Sequence, residues 1–344
     1  MIDIDGSKGE GGGQILRTAL GLSMVTGKPF QMTRIRAGRK KPGLMRQHRT
    51  ALRAAVEVSG ARVTGDALGA TTIAFAPGRV RPGAYRFDVG TAGSCTLVFQ
   101  TVLPALILAD GPSRLTLSGG THNPQAPPFE FLETIFLPLL ERMGPRITVR
   151  LERPGFFPAG GGRFTAEITP AERLSPLTLE DPGPVQSRSI RAVVAGLPRH
   201  IAERELKTAR EALNWPAEIG SAEEIGEAEG PGNVLMLSAM FQNGGDMETG
   251  FGRKGVPAEK VAREAAKRLR NFLTAGVPVG RHLADQLLLP LALAGGGRFR
   301  TVPPTGHTRS QAEIIGRFLD VPIEIAPEGE GSGKKAKVWI VRVG

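Results

Sequence analysis

The sequence predicts an α/β (α+β) chain built from a repeated unit, and three observations carry that expectation. Helix-period and strand-period stretches alternate along the 344 residues. The alternation recurs three times in a similar order. The copies share a glycine-rich or polar loop between a strand and the next helix. Such alternation puts helices over one face of each sheet.

The first unit opens with strand-like alternation in Met1-Ile2-Asp3-Ile4-Asp5 and the loop Gly9-Glu10-Gly11-Gly12-Gly13. An apolar helix is predicted over 14–25 and a strand over 30–35. The polar loop 36–43 leads to a helix over 44–59 and strands over 62–64 and 71–75. In the second unit the loop 88–94 enters a helix over 95–108. A strand over 114–117 leads to Ser118-Gly119-Gly120-Thr121-His122-Asn123-Pro124. A helix over 129–143 follows, then strands over 147–151 and 164–168. The third copy has a helix over 283–294, a strand over 299–302 and the loop carrying His307. A helix over 310–319 and strands over 322–325 and 337–343 complete it, with 328–335 as a solvated hairpin tip. Between the second and third copies lies an insertion, bounded by turn-rich sequence. It predicts strands over 190–195, 218–219 and 233–241, and helices over 202–213 and 258–273. The expected domains are therefore 1–180 with 277–344, and an inserted smaller α/β domain at 181–276. A pseudo-threefold arrangement of the copies would aim their loops at one site.

Composition narrows the chemistry. Lys and Arg number 44 against 33 Asp and Glu, a formal charge of +11. That excess favours polyanions or a merely soluble basic surface. Aromatic residues are only 5% of the chain, which argues against a sequence-reading RNA module built on stacking. Cys95 is the single cysteine, so no internal disulfide or cysteine-rich zinc site can form. The five histidines show no metal-ligand spacing, and no zinc is expected. The start of the chain lacks the pattern of a secretory signal. The most apolar stretch, 287–293, is broken by Pro290 and far below the ~20 residues of a membrane span. A soluble, cytoplasmic protein is expected.

Glu10 is the only carboxylate within the first glycine-rich loop. Glycines let backbone N–H groups turn toward phosphate oxygens, and a hard divalent ion needs an oxygen ligand. Taken alone, the same loop is a tight turn with a solvated Glu. It matches neither a P-loop nor G-x-G-x-x-G. Arg17, Arg36, Arg39 and Arg46 gather in the first unit, and Arg forks match phosphate oxygens. Arg17 and Arg46 are also readable as helix-surface charges, and Gln47 and Gln100 as surface polars. The basic helix carrying Lys260, Arg263, Lys267, Arg268 and Arg270 reads as a solvated face before a nucleic-acid contact. His307 is the sharpest candidate. A histidine with a reference pKa of about 6.5 is largely neutral and nucleophilic near neutral pH. Attack on an α-phosphorus would make it a relay for a nucleotidyl group.

These residues resemble a known family. The segments 9–17, 36–39, 42–44, 46–48, 93–96, 119–121, 123–124 and 283–286 are similar to those of RNA 3′-terminal phosphate cyclases. The likeness runs in order through essentially the entire chain. It implies a large domain of three βαβαββ-like units around a pseudo-threefold axis, similar to a domain of the enolpyruvyl transferases, with a smaller inserted domain. It also implies ATP with Mg²⁺ or Mn²⁺, and an RNA with a 3′-phosphate end as partner. In the family a histidine takes AMP from ATP and passes it to the RNA 3′-phosphate. The 2′-hydroxyl then closes a 2′,3′-cyclic phosphate. By resemblance, His307 is the adenylated histidine and Glu10 a metal ligand. Arg17, Arg36, Arg39 and Gln47 go with phosphate and the RNA end. Gln100, Pro127 and Asp285 line the nucleotide pocket. His282 joins them, replacing an aromatic often found three residues before the pocket Asp. Ser310 and Gln311 stand where the family often has Thr-Asn. The other readings are a non-catalytic cyclase-like ribosome-biogenesis factor and a small-molecule transferase on an enolpyruvyl-transferase-like fold. The oligomeric state is not legible in the sequence.

Overall fold

The computed structural model describes residues 1–9, 12–329 and 337–344. The chain opens with β1 (Ile2–Asp5), α1 (Gln14–Thr26), β2 (Phe30–Thr33), α2 (Arg46–Ser59), β3 (Arg62–Thr64) and β4 (Ile73–Ala76). The four strands form a sheet in the order β1-β2-β4-β3. The first pair is parallel and the other two antiparallel. A parallel pair needs a crossover, and α1 supplies it.

The second unit is β5 (Ala84–Asp88), α3 (Cys95–Leu106), β6 (Ser113–Gly119), a composite helix, β7 (Arg146–Arg153) and β8 (Gly162–Thr169). Its order is β5-β6-β8-β7, with the same senses. The composite helix differs from the uninterrupted one expected over 129–143. It is α4 (Phe129–Phe131), a π-helical turn (Leu132–Phe136) and α5 (Leu137–Glu141). Leu137 donates its N–H to the Leu132 carbonyl, five residues back. The next residue, Pro138, has no N–H to continue the ordinary ladder.

The third sheet opens with β9 (Leu177–Leu179), a strand too short to stand out in the sequence. The chain then builds β10 (Val185–Ala195), α6 (His200–Leu213), β11 (Ser221–Ile225), β12 (Gly232–Phe241), β13 (Gly244–Phe251) and α7 (Ala258–Ala275). These strands form a separate sheet in the order β11-β10-β12-β13. The third unit resumes with α8 (Arg281–Leu293), β14 (Gly297–Thr301), α9 (Gly306–Phe318), β15 (Ile323–Pro327) and β16 (Trp339–Val343). Its strand order, β9-β14-β16-β15, repeats the pattern of parallel, antiparallel, antiparallel.

Several expectations change. The strand expected at 218–219 lies instead at β11. Strand β13, which begins Gly-Gly-Asp, was not expected because glycine and aspartate are poor strand formers. Helix α9 begins at Gly306 rather than 310, so His307 sits in its first turn and not in a loop. Thr305 is the reason: its hydroxyl accepts the Thr308 N–H at 3.3 Å and starts the helix early. Most of the expected hairpin tip at 328–335, namely 330–335, lies outside the described residues.

One apolar core runs through all three units, and α1 packs against α2, α3 and α9, with α8 against α9. A second core fills the space between α6, α7 and the inserted sheet. Strand alternation divides that sheet between the two. Ile190, Ala192, Val194, Leu235 and Leu237 face the helices. Val193, Ala195, Val234 and Met236 face the main core. Covered on both faces, the end of β10 at 192–195 and β12 at 234–237 read as continuous apolar runs. On α7, Lys260, Arg263, Lys267 and Arg270 are exposed. Arg268 instead turns inward and pairs with buried Glu248 of β13 at 2.6 Å.

Candidate active site

The first turns of helices from all three units meet around one cavity of about 700 Å³. Gln14 and Arg17 come from α1, Gln47 and His48 from α2, and Gln100 from α3. His282, Asp285 and Gln286 come from α8, and His307 and Gln311 from α9. Arg36, Arg39 and Pro127 enter from loops. Helix N-termini carry partial positive charge and unpaired N–H groups, so their convergence favours an anion. Of the residues that the sequence assigns to a phosphate or nucleotide site, all line this cavity except two. Glu10 lies outside the described residues, and Arg46 stands exposed on the first residue of α2.

His307 is held by an amide lock. Its Nδ1 lies 2.5 Å from Gln14 Oε1. The Gln14 amide nitrogen donates to Asp285 Oδ2 at 3.1 Å and to Gln311 Oε1 at 2.7 Å. Gln311 in turn donates to the Asp285 carbonyl at 2.7 Å. Two acceptors on one side fix which end of the Gln14 amide is nitrogen. Its oxygen therefore faces His307, and Nδ1 must carry the ring proton. In the neutral ring the lone pair is then on Nε2.

The cationic wall is held as firmly. Arg36 has a left-handed backbone, φ 55°, and folds its guanidinium onto the carbonyls of Lys41 and Gly43 at 2.8 and 2.9 Å. Burial and the neighbouring Arg39 hold its pKa below the usual value. Burial also lowers Arg17 to about 10, opposed by Asp285, and it stays charged at neutral pH. His48 is pushed down to about 3 by burial and then by Arg17 and Arg36, so it is neutral there. Gly13 makes room for it, since a Cβ at 13 would lie 2.2 Å from His48 Nε2. Gln47 Oε1 accepts the Ser94 N–H at 2.8 Å, tying α2 to the start of α3.

On the opposite side, Gln100 donates to Gln286 at 2.6 Å, bridging α3 and α8. The Pro127 carbonyl accepts from Thr96 at 2.9 Å. His282 is kept below its usual pKa by burial, with Glu248 opposing and Arg281, Arg268 and His307 reinforcing. Cys95 is buried at the head of α3 and its thiol is raised to about 12, chiefly by burial. It is no nucleophile. Among the described residues no group of three or more His, Cys, Asp or Glu side chains could hold a metal. Asp285 is the one carboxylate among the described cavity residues. No described helix is long and apolar enough to cross a membrane.

Sequence reasoning gave no role to Gln14, His48 or Gln286, and named Gln311 only as a departure from the family's Thr-Asn. Single glutamines on helices give no signal, because their value lies in partners up to 297 positions away.

Comparison with known proteins agrees with this geometry. Residues 8–325 match the family described as RNA 3′-terminal phosphate cyclase. The chain is 54% identical over 328 residues to an RNA 3′-terminal phosphate cyclase of Koribacter versatilis (strain Ellin345), covering 95% of this chain and 92% of that protein. It is 51% identical over 323 residues to a protein of that name from Ectopseudomonas mendocina (strain ymp), covering 94% of each. Over 338 residues it is 51% identical to another from Ralstonia nicotianae (strain ATCC BAA-1114 / GMI1000), covering 98% of this chain and 97% of that one. The chain belongs to the RNA 3′-terminal phosphate cyclase family.

Proposed function

We propose that this chain is an ATP-dependent RNA 3′-terminal phosphate cyclase that works through an adenylated His307. The observation that carries the reading is the Gln14 lock, which sets Gln14 Oε1 against His307 Nδ1, so that in the neutral ring Nε2 is the nucleophilic nitrogen, at a cavity lined by cations and helix N-termini. Nε2 attacks the α-phosphorus of ATP, a P–N bond forms, and pyrophosphate leaves with the electrons of the broken P–O bond. Arg17, Arg36 and Arg39 stabilise charge on the phosphates. Neutral His48 and Gln47 add hydrogen-bonding groups without repelling these cations. A 3′-phosphate oxygen of RNA then attacks the same phosphorus and frees the histidine. The neighbouring 2′-hydroxyl attacks the activated 3′-phosphorus, releases AMP and leaves the 2′,3′-cyclic phosphate. Gln100, Pro127, His282 and Asp285 hold the nucleoside. A divalent ion bound with the nucleotide would need few protein oxygens. Glu10 would be the side chain that holds it, and the ion would neutralise phosphate charge.

The test uses α-labelled ATP with Mg²⁺ or Mn²⁺ and no RNA. Acid-labile, base-stable label should appear on the protein, and His307→Ala should remove it without loss of fold. Label surviving in that variant overturns the reading.

A further inference from the structure

Phe157 is the one aromatic among the large hydrophobic side chains that stand exposed on the described residues, at 67% exposure. Every other phenylalanine is buried or half-buried. We infer that Phe157 is a stacking platform for an unpaired base of the RNA strand whose 3′-phosphate enters the cavity. The inference rests on the function proposed above.

The backbone beneath Phe157 is tied down on every side. Its neighbour Phe156 is 3% exposed and stacks on His122 with ring centroids 5.2 Å apart. The Gly155 carbonyl accepts the N–H groups of Thr121 and His122, both at 3.0 Å. Gly160 returns its N–H to the Phe156 carbonyl at 2.7 Å. Arg153 donates to the Gly161 carbonyl at 2.6 Å and pairs with Glu229 at 2.6 Å. The aromatic ring is thus held outward on a fixed loop, and little ordering entropy is lost when a ligand meets it.

The loop also abuts the cavity wall through two segments. A Cβ on Gly160 would lie 2.8 Å from the Ala92 nitrogen, so the loop presses on the turn 91–93. The other face of that turn meets Gln47: a Cβ on Gly93 would lie 3.0 Å from Gln47 Cβ. His122, under Phe156, is followed directly by the cavity-lining residues Asn123, Pro124 and Gln125. The loop that carries Phe157 therefore borders the turn 91–93, whose other face meets Gln47.

The occupant follows from charge and chemistry. Arg36 and Arg39 line the cavity, and exposed Lys40 and Lys41 of the same loop and Arg46 at the head of α2 extend the cationic surface. A strand anchored there by its terminal phosphate leaves its last bases unpaired. Aromatic faces accept any base without sequence choice.

Binding of a fluorescent single-stranded oligoribonucleotide 3′-phosphate to the full chain tests this by anisotropy. Phe157→Ala and Phe157→Leu should weaken binding about fivefold or more, and Phe157→Trp should hold it near wild type. Abasic nucleotides near the 3′ end should weaken wild-type binding equally, with no further loss in Phe157→Ala. Adenylation from ATP alone should be unchanged in all variants. Equal affinity of wild type and Phe157→Ala overturns the inference. So does a self-association at assay concentration that Phe157→Ala abolishes, which would make the patch a contact between copies. Wild type that takes no label from ATP yet binds RNA through Phe157 would sink the cyclase reading and leave this one standing.

Discussion

In the proposed mechanism Gln14 decides which nitrogen of His307 reacts. A ring free to exchange tautomers would spend part of its time with the proton on Nε2. Gln14→Met keeps the length of the side chain and removes both the acceptor and the donor. Adenylation kcat should fall about 10²-fold in this variant, in the range expected when a catalytic group loses its orienting partner, with a smaller change in KM for ATP. A rapid-quench measurement of the protein–AMP bond checks it. Equal effects on kcat and KM would mean that Gln14 only shapes the pocket. A second buried group sets a pH limit on stability. Glu205 is fully buried and accepts from Asn233 at 2.8 Å, and burial raises its pKa from 4.5 to about 7. The folded chain then holds a proton that the unfolded chain has lost between about pH 4.5 and 7. Stability should fall as pH rises through that window. Glu205→Gln removes the titration, so its advantage over wild type should grow from pH 5 to pH 8 in urea unfolding. A constant difference across that range would contradict it.

Helix starts are the elements on which the site depends. Thr305 caps α9 two residues before His307. Thr305→Ala should cost about 1 kcal/mol of stability and lower adenylation by more than that loss explains, because the frayed turn is the one holding the imidazole. Thr305→Ser should restore both, as read by thermal unfolding beside the labelling rate. The strong helices were legible in the sequence because apolar spacing marks α1, α2, α3 and α8. The start of α9 was not, because Thr305-Gly306 reads equally as loop until the cap bond is seen. Strands β5 and β9 escaped notice for a related reason. They are short, and their pairing partners β6 and β14 lie far along the chain. Likewise, α1 shows which face of Arg17 turns inward only once α8 delivers Asp285 beside it.

At the scale of the molecule, repetition was readable but its accounting was not. The sequence shows helix and strand returning three times. Only the strand order reveals that β9 opens the third sheet before the inserted strands begin. The inserted sheet looked like a separate unit because turn-rich sequence flanks it. Its packing says otherwise about energetics. One face of β10 and β12 closes the α6–α7 core, and the other face, through Val193, Val234 and Met236, belongs to the main core. Opening either body exposes the apolar face of the same sheet. Buried Glu130 adds a charged tie across this junction, accepting from Arg191 of β10 at 3.2 Å and bonding His122 at 2.8 Å. Burial would raise its pKa, but His122 and then Arg191 more than offset this and hold it near 2. The chain should therefore melt in one cooperative transition by calorimetry. Met236→Ala should cost the roughly 2–5 kcal/mol of stability typical of a core truncation and lower that single midpoint. Two resolved transitions, with only one moved by Met236→Ala, would show that the shared strands do not couple the bodies.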